Sequence, residues 1–452
     1  MKNLPKILET NDFKALESYL GDIMAEHLKE NNFAKEGRLY YENENAIRRR
    51  RPIDEMMGKA KMDKNPLRSG DFKISHNWHQ LLVNQKVAYL FSYPPSFDCG
   101  SAVYNAKIAA ALGEDFSRIV KNLAIDAANC GVGWLHMWKD AEGRFAYTTI
   151  AKEEIYPIYG DVLGGKPQYV LRVYDALDHE GKVVEKIEVW DKESVRFFIK
   201  SQKSGIAKDL ANGMADNCVF HGMGNIPFVP FYNNRSKIGD LAMVKDLIDQ
   251  YDLVVSGFAN DLADIQEVIF VLRNYGGEDL NTFLSDLKRY KAIKVEGDNG
   301  SDGGVETMKI EIPVEARVKF LDLLKKQIFI SGQGINPDPE SFGNSSGVAL
   351  KYLYSLLEIK AGLLETEFRS GFKGFLEILL HFLGLDENMP VLQIYSRNSI
   401  ENEMEDAEIA AKSQGIVSQK TIVRNHPWVE DAEQEMMLLH KEKEHIVVED
   451  VE

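Results

Sequence analysis

The chain has 452 residues, with 70 Asp and Glu against 54 Lys and Arg and a formal charge of −16. At about 150 residues per domain, this length suggests roughly three domains. The longest apolar run, Phe375 to Leu385, is interrupted by Glu377 and His381 and is shorter than the roughly 20 residues of a membrane span. The composition therefore argues against a membrane protein. The acidity argues against a conventional nucleic-acid binder, whose affinity for phosphate comes from clustered Lys and Arg.

The N-terminus and the cysteines indicate the compartment. The segment MKNLPKILETNDF has no continuous apolar core and no small-residue cleavage site, so we expect no secretory signal. The three cysteines are odd in number and far apart, which argues against a disulfide framework and against a paired-cysteine metal site. We therefore expect a protein made in a reducing cytoplasm.

Two hydrophobic periodicities divide the first half of the chain. Up to about residue 125, apolar residues recur at three- and four-residue spacing, as in NDFKALESYLGDIMAEHL and HNWHQLLVNQKVAYLF, which predicts helices. From Gly131 to Tyr232 the period is two, in short aromatic and β-branched runs such as WLHMW, PQYVLRVYDA and VRFFIK. We expect a helical N-terminal part followed by an antiparallel β-rich region.

Helical periodicity returns at about Ala242. The predicted helix has an apolar stripe that includes Val244, Leu247, Ile248, Tyr251, Val255, Phe258, Leu262 and Ile265. Its opposite face carries Asp246, Asp249, Ser256, Asn260 and Asp264. After strand-like runs and Gly-rich turns, a second helix begins near Pro313, with an apolar side made of Val314, Val318, Leu321, Leu324 and Ile328. Two amphipathic helices thus bracket a small α/β insertion.

The last third of the chain begins with a loop. The segment SGQGINPDPESFGNSSG is rich in Gly and Pro and has no Lys or Arg. It opens into a very long predicted helix, with a bend expected near Ser370 and Gly371. A short strand, PVLQIYS, leads to a tail. From Glu401 to Glu452 this tail has 14 acidic and 5 basic residues, so it forms a distinct compositional unit with surface helices.

The amphipathic pair raises an architectural question. One helix pair cannot easily bury apolar stripes on both members within a monomer, so repeated side-by-side packing between subunits is a natural solution. An ordinary helical subdomain of a single chain is the alternative.

One pattern suggests a catalytic serine. Gly343 to Gly347 spells G-x-S-x-G around Ser345, and Asp386 and His426 follow in the chain order of a hydrolase triad. A nucleophile elbow needs a buried strand before the serine, whereas the preceding INPDPESF contains two prolines and no strand-like run. Asn, Ser and Gly are also the residues that a loop and a helix N-cap require. A serine hydrolase using Ser345 remains as the enzymatic alternative to a non-enzymatic protein.

Metal and cofactor patterns are weak. His76 and His79 lie three residues apart on a predicted helix, but no third ligand and no HExxH motif accompany them. The sequence has no GxxxxGK[ST] motif and hence no P-loop nucleotide site. We expect neither a metal nor a cofactor.

The order of five sequence blocks resembles the portal protein family of tailed bacteriophages, in particular the subgroup of long-tailed phages of Gram-positive bacteria. In chain order the blocks are Asn260-Asp261-Leu262 with Asp264, VLRNYGGEDL, LKRYKAIKV, GGVETMKIEIPVEA and FGNSSGVALKYLYSLLEIKA. The specific match runs from about Gly239 to Gly362, and weaker similarity covers most of the chain except the tail. Members of this family form rings, usually dodecameric, at one capsid vertex. This head-to-tail connector is the channel through which the terminase motor drives double-stranded DNA.

The resemblance implies an α+β, portal-type fold with named parts. These are an α/β wing at 1–242, helical first and β-rich from about 131; stem helices at 243–265 and 313–334; a small α/β clip at 266–312; a tunnel loop at 335–347; a long kinked wing or crown helix at 348–385; and an acidic, α-helical crown and tail at 386–452.

The resemblance also implies which residues meet DNA. The tunnel loop would present Asn336, Asp338, Glu340, Ser341, Phe342, Asn344, Ser345 and Ser346. Candidate channel-lining residues, on the polar faces of the stem helices, are Asp246, Asp249, Asn260, Asp264, Glu315, Lys319, Asp322 and Lys326. Carboxylates and neutral side chains give the phosphate backbone no deep binding well. Which stem helix faces inward stays open.

Partners are implied in the same way. In the clip, Lys288, Arg289, Lys291 and Lys294 form a basic patch for contact with terminase or adaptor proteins, or simply a solvated face. The implied partners are other copies of this chain, the terminase large subunit, head-completion or adaptor proteins, major capsid and scaffolding proteins, and double-stranded DNA that passes through without specific binding. No membrane is implied. The implied location is the portal vertex of the virion, after assembly in the host cytoplasm. Another structural protein of the phage head vertex is the remaining alternative.

Overall fold

The computed structural model describes residues 4–50, 71–160, 166–177, 181–201, 205–210, 216–264, 269–273, 304–308, 313–337, 347–398, 403–424, 426, 429 and 435–439. The chain combines helices and sheets and divides into two compact units. Unit 1 comprises Met1–Arg38, Leu81–Ala242 and Gly332–Glu452, and unit 2 comprises Leu39–Gln80 and Met243–Ser331.

The described helices are α1 (Leu4–Thr10), α2 (Phe13–Tyr41), α3 (Ala46–Arg49), α4 (Trp78–Phe91), α5 (Ala102–Leu112), α6 (Phe116–Cys130), α7 (Lys245–Asp264), α8 (Val314–Ser331), α9 (Gly347–Phe382), α10 (Glu403–Lys412) and α11 (Gln419–Arg424).

The described strands are β1 (Ser96–Asp98), β2 (Val132–Lys139), β3 (Phe145–Ile150), β4 (Ile155–Tyr159), β5 (Pro167–Leu177), β6 (Val183–Trp190), β7 (Ser194–Ser201), β8 (Gly205–Lys208), β9 (Cys218–Phe220), β10 (Phe228–Tyr232), β11 (Ile269–Arg273), β12 (Gly304–Met308) and β13 (Leu392–Ile394).

The largest sheet of unit 1 has the order β4-β5-β6-β7-β8, and β9 also pairs with β7. All of these pairs are antiparallel. Leu16 and Leu20 of α2 share a core with Leu171, Ile187 and Phe198 of the sheet, and each is at most 4% exposed. Burying such a side chain contributes about 1.5–3 kcal/mol. The alternating sequence pattern correctly predicted this antiparallel region.

A second, three-stranded sheet has the order β10-β2-β3. Pro230 lies in β10, opposite Trp134 of β2. Proline has no backbone N–H and is tolerated at a sheet edge, and β10 is an edge strand of this sheet. The proline-containing segment at the end of the β region is therefore a strand.

The long helix α9 supplies an aromatic part of the unit 1 core. Phe368, Phe372 and Phe375 are each at most 1% exposed, and the rings of Phe372 and Phe231 lie 4.9 Å apart. A Cβ added at Gly371 would lie 2.5 Å from the Phe231 ring, so the glycine permits this close approach. Packing thus explains the glycine that the sequence analysis associated with a bend, and the helix continues past it to Phe382.

Unit 2 contains the two helices that the sequence predicted around an insertion. The expected spans 243–265 and 313–334 are observed as α7 and α8, one to three residues shorter at each end. Within the predicted insertion, β11 and β12 pair antiparallel, and its other residues lie outside the described ones. Residues 39–80, which the resemblance assigned to the wing, belong to the same compact unit as α7 and α8.

Among the residues that the structure describes, no helix combines the length and the hydropathy needed to cross a bilayer.

Candidate functional site

The candidate site is the pair of helices α7 and α8 in unit 2. Arg317 of α8 forms an ion pair of 2.5 Å with Asp261 of α7, and its guanidinium lies 5.4 Å from the ring centroid of Phe258. Trp78 meets Phe329 of α8 edge-on at 5.7 Å and Tyr251 of α7 at 5.4 Å. Cation–π, ionic and aromatic contacts thus bind both helices to one another or to a shared neighbour.

One face of α7 carries a polar seam. Its members are Asp249, Asp252, Ser256 and Asn260. They recur at three- and four-residue spacing, so they lie on one line along the helix. Ser256 Oγ accepts a hydrogen bond from the Ile74 backbone N–H at 2.9 Å, and Asn260 Oδ1 accepts one from the Phe72 N–H at 2.6 Å. An extended segment of the same chain therefore binds along this face.

Asp252 is the most buried member of the polar seam, at 0% exposure. Its carboxylate accepts hydrogen bonds from Asn45 Nδ2 at 2.7 Å and from the His76 backbone N–H at 3.1 Å. The His76 ring nitrogen Nδ1 lies 2.7 Å from the same carboxylate. Three donors thus satisfy a charge that would be costly to bury alone.

Asp249 is the N-terminal member of the polar seam. It accepts a hydrogen bond from the Tyr40 hydroxyl at 2.5 Å and forms an ion pair with the Lys245 ammonium at 2.7 Å. Burial, together with the hydrogen bond to Asp249, raises the pKa of Tyr40 to about 12. The phenol therefore stays protonated at any physiological pH and donates to the carboxylate.

These contacts bear on the predicted channel-lining residues of α7. Asp249 and Asn260 both have partners from residues 40–72 of the same chain. Asp246 is exposed. Asp264 lies at the end of α7, and its side chain is outside the described ones. Asp252 was not among the residues predicted from the sequence, although it continues the spacing of Asp249 and Ser256.

Helix α8 has three faces of different composition. The buried face consists of Leu324, Ile328 and Phe329. A charged strip, exposed along its whole length, consists of Glu315, Lys319, Asp322 and Lys326. A second exposed strip, which we call the apolar strip, consists of Ala316, Phe320, Leu323, Gln327 and Ile330 and is apolar except for Gln327. The predicted apolar stripe was only partly right, because Val314 and Val318 are 47% and 45% exposed.

The charged strip of α8 has no net charge. Its residues are spaced by four, three and four positions, which places them on one line of the helix. Acidic and basic side chains alternate along that line. All four are the residues that the sequence analysis proposed for this helix, and all are exposed in the isolated chain.

The start of the predicted tunnel loop is held by α4 and α9 in unit 1. The Gln85 side chain exchanges two hydrogen bonds with the backbone of Ile335, at 2.7 and 3.0 Å. The Lys360 ammonium donates to the Gly332 carbonyl at 2.9 Å. Asn336 is half-buried. The other proposed loop residues, Asp338 to Ser346, and the proposed clip contacts, Lys288, Arg289, Lys291 and Lys294, lie outside the described residues.

A buried ionic cluster close to this anchor was not foreseen from the sequence. Asp240 lies 2.7 Å from the Lys86 ammonium and 3.0 Å from the Lys360 ammonium, and Asn233 donates to it at 2.8 Å. Burial alone would raise the pKa of Asp240, but the ammonium groups of Lys360 and Lys86 hold it well below its usual range. Burial lowers the pKa of Lys86 to about 8. The partners are so far apart in sequence that no local pattern predicts the cluster.

The described residues do not form a catalytic triad around a serine or a metal site with the two histidines. Ser345 lies outside the described residues, and the Asp386 carboxylate accepts a hydrogen bond from the Asn388 N–H. Of the two histidines considered as metal ligands, His76 is bound to Asp252. Within the described part of the chain, no three His, Cys, Asp or Glu residues are grouped so as to hold a metal ion.

Comparison with known proteins identifies the family. A family model described as phage portal protein, SPP1 Gp6-like, matches residues 20–449. The portal protein of Clostridium phage phiCD119 is 44% identical over 422 residues, which cover 89% of this chain and 91% of that protein. The portal protein of Bacillus phage SPP1 is 30% identical over 421 residues, which cover 89% and 82% of the two chains.

Among solved structures, a chain from the neck of a native GTA particle computed with C12 symmetry matches with a TM-score of 0.40 at 12% identity. The match covers 76% of this chain and 86% of that chain, but a TM-score of 0.40 does not establish a shared fold. The sequence matches are sufficient by themselves, because they span nearly the whole chain: the protein belongs to the phage portal protein family of the SPP1 Gp6-like type.

Proposed function

We propose that copies of this chain form a ring, expected to be dodecameric, at one capsid vertex, and that double-stranded DNA passes along its axis during packaging and ejection. Portal proteins are a structural, non-enzymatic family whose members form ring oligomers with capsid and tail components. Family membership over most of the chain supports the ring and the channel. Within this chain, the observation that best supports the proposal is the charged strip on α8.

We assign the channel lining to α8 rather than α7. The polar seam of α7 binds residues 40–76 of its own chain, so much of its polar surface is already used. On α8, by contrast, the polar residues form a continuous exposed strip. Asp246 is then the described α7 candidate that remains exposed for the same role.

The charge of the α8 strip suits a moving polyanion. Two acidic and two basic residues cancel within each copy, so the strip offers phosphate no deep electrostatic well. The formal charge of −16 on the whole chain adds a weak repulsion that salt screens beyond a Debye length of about 10 Å. DNA would thus slide along the strip without binding at one place.

The other proposed roles follow the domain division that the resemblance implied. Residues 335–347 would form a loop that touches DNA transiently. The clip, 266–312, would dock the terminase large subunit and later the head-completion proteins, with Lys288, Arg289, Lys291 and Lys294 as contacts. The wing and crown would meet the major capsid and scaffolding proteins. The virion is then the final location, and the host cytoplasm is the place of assembly.

Reversing the acidic half of the strip tests the channel. Glu315→Lys with Asp322→Lys makes all four strip residues basic, which should create a binding well at every copy and slow DNA translocation in a packaging assay. The slowing should diminish as salt is raised. Asp22→Lys with Glu26→Lys, two exposed positions on α2, changes the net charge equally and is the matched control.

Electron microscopy of the same preparations tests the ring. Both double variants should form rings with a central hole. If packaging by Glu315→Lys with Asp322→Lys rings matches the control at low salt, the strip does not line the channel. If the unaltered protein forms no rings at all, the proposed function fails.

A further inference from the structure

The apolar strip of α8 has the spacing of a helix-packing seam. Its residues, Ala316, Phe320, Leu323, Gln327 and Ile330, are separated by four, three, four and three positions, the a/d pattern of a coiled coil. The large members are exposed in the isolated chain: Phe320 by 43%, Leu323 by 54% and Ile330 by 46%. The buried face of α8 lies elsewhere on the helix. The apolar strip is therefore a second, largely apolar surface that the isolated chain leaves uncovered.

Helix α7 carries a matching groove on a partly exposed side, where Gln250 is exposed and Leu253, Val254 and Gly257 are half-buried. Gln250, Leu253, Val254 and Gly257 are spaced as i, i+3, i+4 and i+7, the four positions that form a hole for a partner helix's side chain. A Cβ added at Gly257 would meet no heavy atom within 4 Å in the monomer. Glycine weakens a helix interior, so a gap of this kind is most simply explained by a neighbour that fills it. We call these four residues the Gly257 groove.

The apolar strip of α8 and the Gly257 groove of α7 are both free of charge, in contrast to the charged strip on the neighbouring face of α8. No Asp, Glu, Lys or Arg occurs among the five residues of the apolar strip or the four residues of the Gly257 groove. Bulky side chains project from one surface, and the other has a gap at Gly257, one helical turn beyond Leu253 and Val254. The two surfaces are therefore complementary in polarity and in shape.

We propose that the apolar strip of α8 in one copy packs into the Gly257 groove of α7 in the next copy, with Phe320 or Leu323 entering the gap at Gly257. The inference rests on the proposed ring. A ring needs a heterologous contact between two different surfaces of the same chain. Contact between two identical α8 strips would instead give a closed dimer, and it would leave the groove empty.

This contact also accounts for the three faces of α8. The buried face packs within the chain, the apolar strip meets the next copy, and the charged strip remains exposed beside that contact. The same packing that closes the ring thus leaves the charged strip at the channel surface.

Disulfide trapping tests the contact in the full-length protein. Gly257→Cys combined with Leu323→Cys should give, on mild oxidation, a reducible ladder of covalent oligomers extending to the complete ring. Each single variant carries the same native cysteines and should give no ladder. Gly257→Cys with Asp322→Cys, where the second cysteine lies on the charged strip, is the matched control and should give at least fivefold less of the higher oligomers.

Filling the groove tests it without oxidation. Gly257→Leu should shift the protein from rings to monomers in size-exclusion chromatography with light scattering, with an unchanged circular dichroism spectrum. Gly21→Leu, at a helical position in α2 that also has open space within 4 Å, should leave the rings intact.

The outcomes separate this inference from the proposed function. Rings seen by electron microscopy without a ladder from the Gly257 and Leu323 pair, or rings that tolerate Gly257→Leu, overturn the contact and leave the portal ring standing. A ladder that stops at a dimer also overturns it. Absence of rings in the unaltered protein removes both proposals.

Discussion

The carboxylate of Asp252 lies 2.7 Å from the His76 ring nitrogen Nδ1, and it is fully buried where α7 meets the segment before α4. The same carboxylate accepts hydrogen bonds from Asn45 Nδ2 and from the His76 backbone N–H. This one side chain therefore fixes two separate parts of residues 39–80 to the proposed stem.

Asp252→Asn should destabilise unit 2. The amide keeps one acceptor oxygen but turns an NH₂ group toward a donor, either Asn45 Nδ2 or His76, so buried donors lose their partners. We expect a loss of about 1–3 kcal/mol in the free energy of unfolding, measured by denaturant titration. Asp246→Asn, an exposed aspartate of the same helix, is the control and should change it by less than about 0.5 kcal/mol. Equal effects of the two variants would contradict the role of Asp252.

Asp240→Asn should be more damaging, because it leaves two buried ammonium groups without a counter-charge. Lys86 and Lys360 both lie within 3.0 Å of this carboxylate. Breaking a buried ion pair typically costs about 3–5 kcal/mol. The control is Asp115→Asn, which removes a fully exposed ion pair with Arg118 and should leave the free energy of unfolding nearly unchanged, because solvent screens exposed pairs.

The Asp240→Asn defect should also shrink as the pH rises toward about 8. Burial already lowers the pKa of Lys86 to about 8, below its unfolded value of 10.5, and loss of Asp240 removes a charge that raises it. Below about pH 8 the folded variant therefore binds fewer protons than the folded unaltered protein, so raising the pH stabilises the variant relative to the unaltered protein. Above about pH 8 the two proteins should respond to pH alike. A defect that does not shrink between about pH 6 and 8 would argue against a charged Lys86 beside Asp240.

His136 should make the protein sensitive to acid. Its ring lies 4.2 Å from Phe228 in a stacked arrangement, and Nδ1–H donates to the Pro227 carbonyl at 3.0 Å. Burial lowers the pKa of His136 from 6.5 to about 4. The neutral ring therefore contributes stability that is complete above pH 6.5 and is lost as the pH falls toward 4.

The size of this effect is about 3 kcal/mol, because lowering the pKa from 6.5 to about 4 disfavours the protonated ring by that free energy. His136→Phe keeps an aromatic ring and should remove about one proton from the pH dependence of unfolding between pH 6.5 and 4. A nuclear magnetic resonance titration of the His136 ring gives the pKa directly. A value at or above 6.5 would contradict the prediction.

Deletion of Asp338 to Asn344 should leave rings intact but impair packaging or DNA retention. Residues 335–347 contain no Lys or Arg, so nothing in this segment anchors on phosphate. Its base is held independently by Gln85 and Lys360. Electron microscopy and a packaging assay measure the two effects separately. Loss of ring assembly would show that the segment is structural.

The sequence predicted element types well where the periodicity was long. Helices α7 and α8, the antiparallel β region and the long α9 follow from spacing alone, because a buried face must repeat with the period of its element. It also indicated the family, since the order of several blocks is a property of the chain itself. Packing of the whole chain decides details such as Gly371, whose role depends on the distant Phe231 ring.

The candidate site was only partly predictable. Spacing placed Asp249 and Asn260 correctly on a polar face of α7, but it carried no information about Tyr40 and Phe72, which bind that face from about 190 to 210 residues earlier in the chain. Similarly, α8 has apolar residues on more than one side, and periodicity alone selected Val314 and Val318, which are exposed.

The sequence by itself determined the portal family, through the order of its sequence blocks. It also determined the helix and strand pattern and the acidic balance, because these depend on local periodicity and composition. Only the tertiary structure decided that α7 has its polar seam bound by its own chain while α8 keeps a charged strip and an apolar strip exposed. The physical reason is that a polar or apolar face is either satisfied or available depending on which distant segment packs against it, and local spacing does not encode that contact.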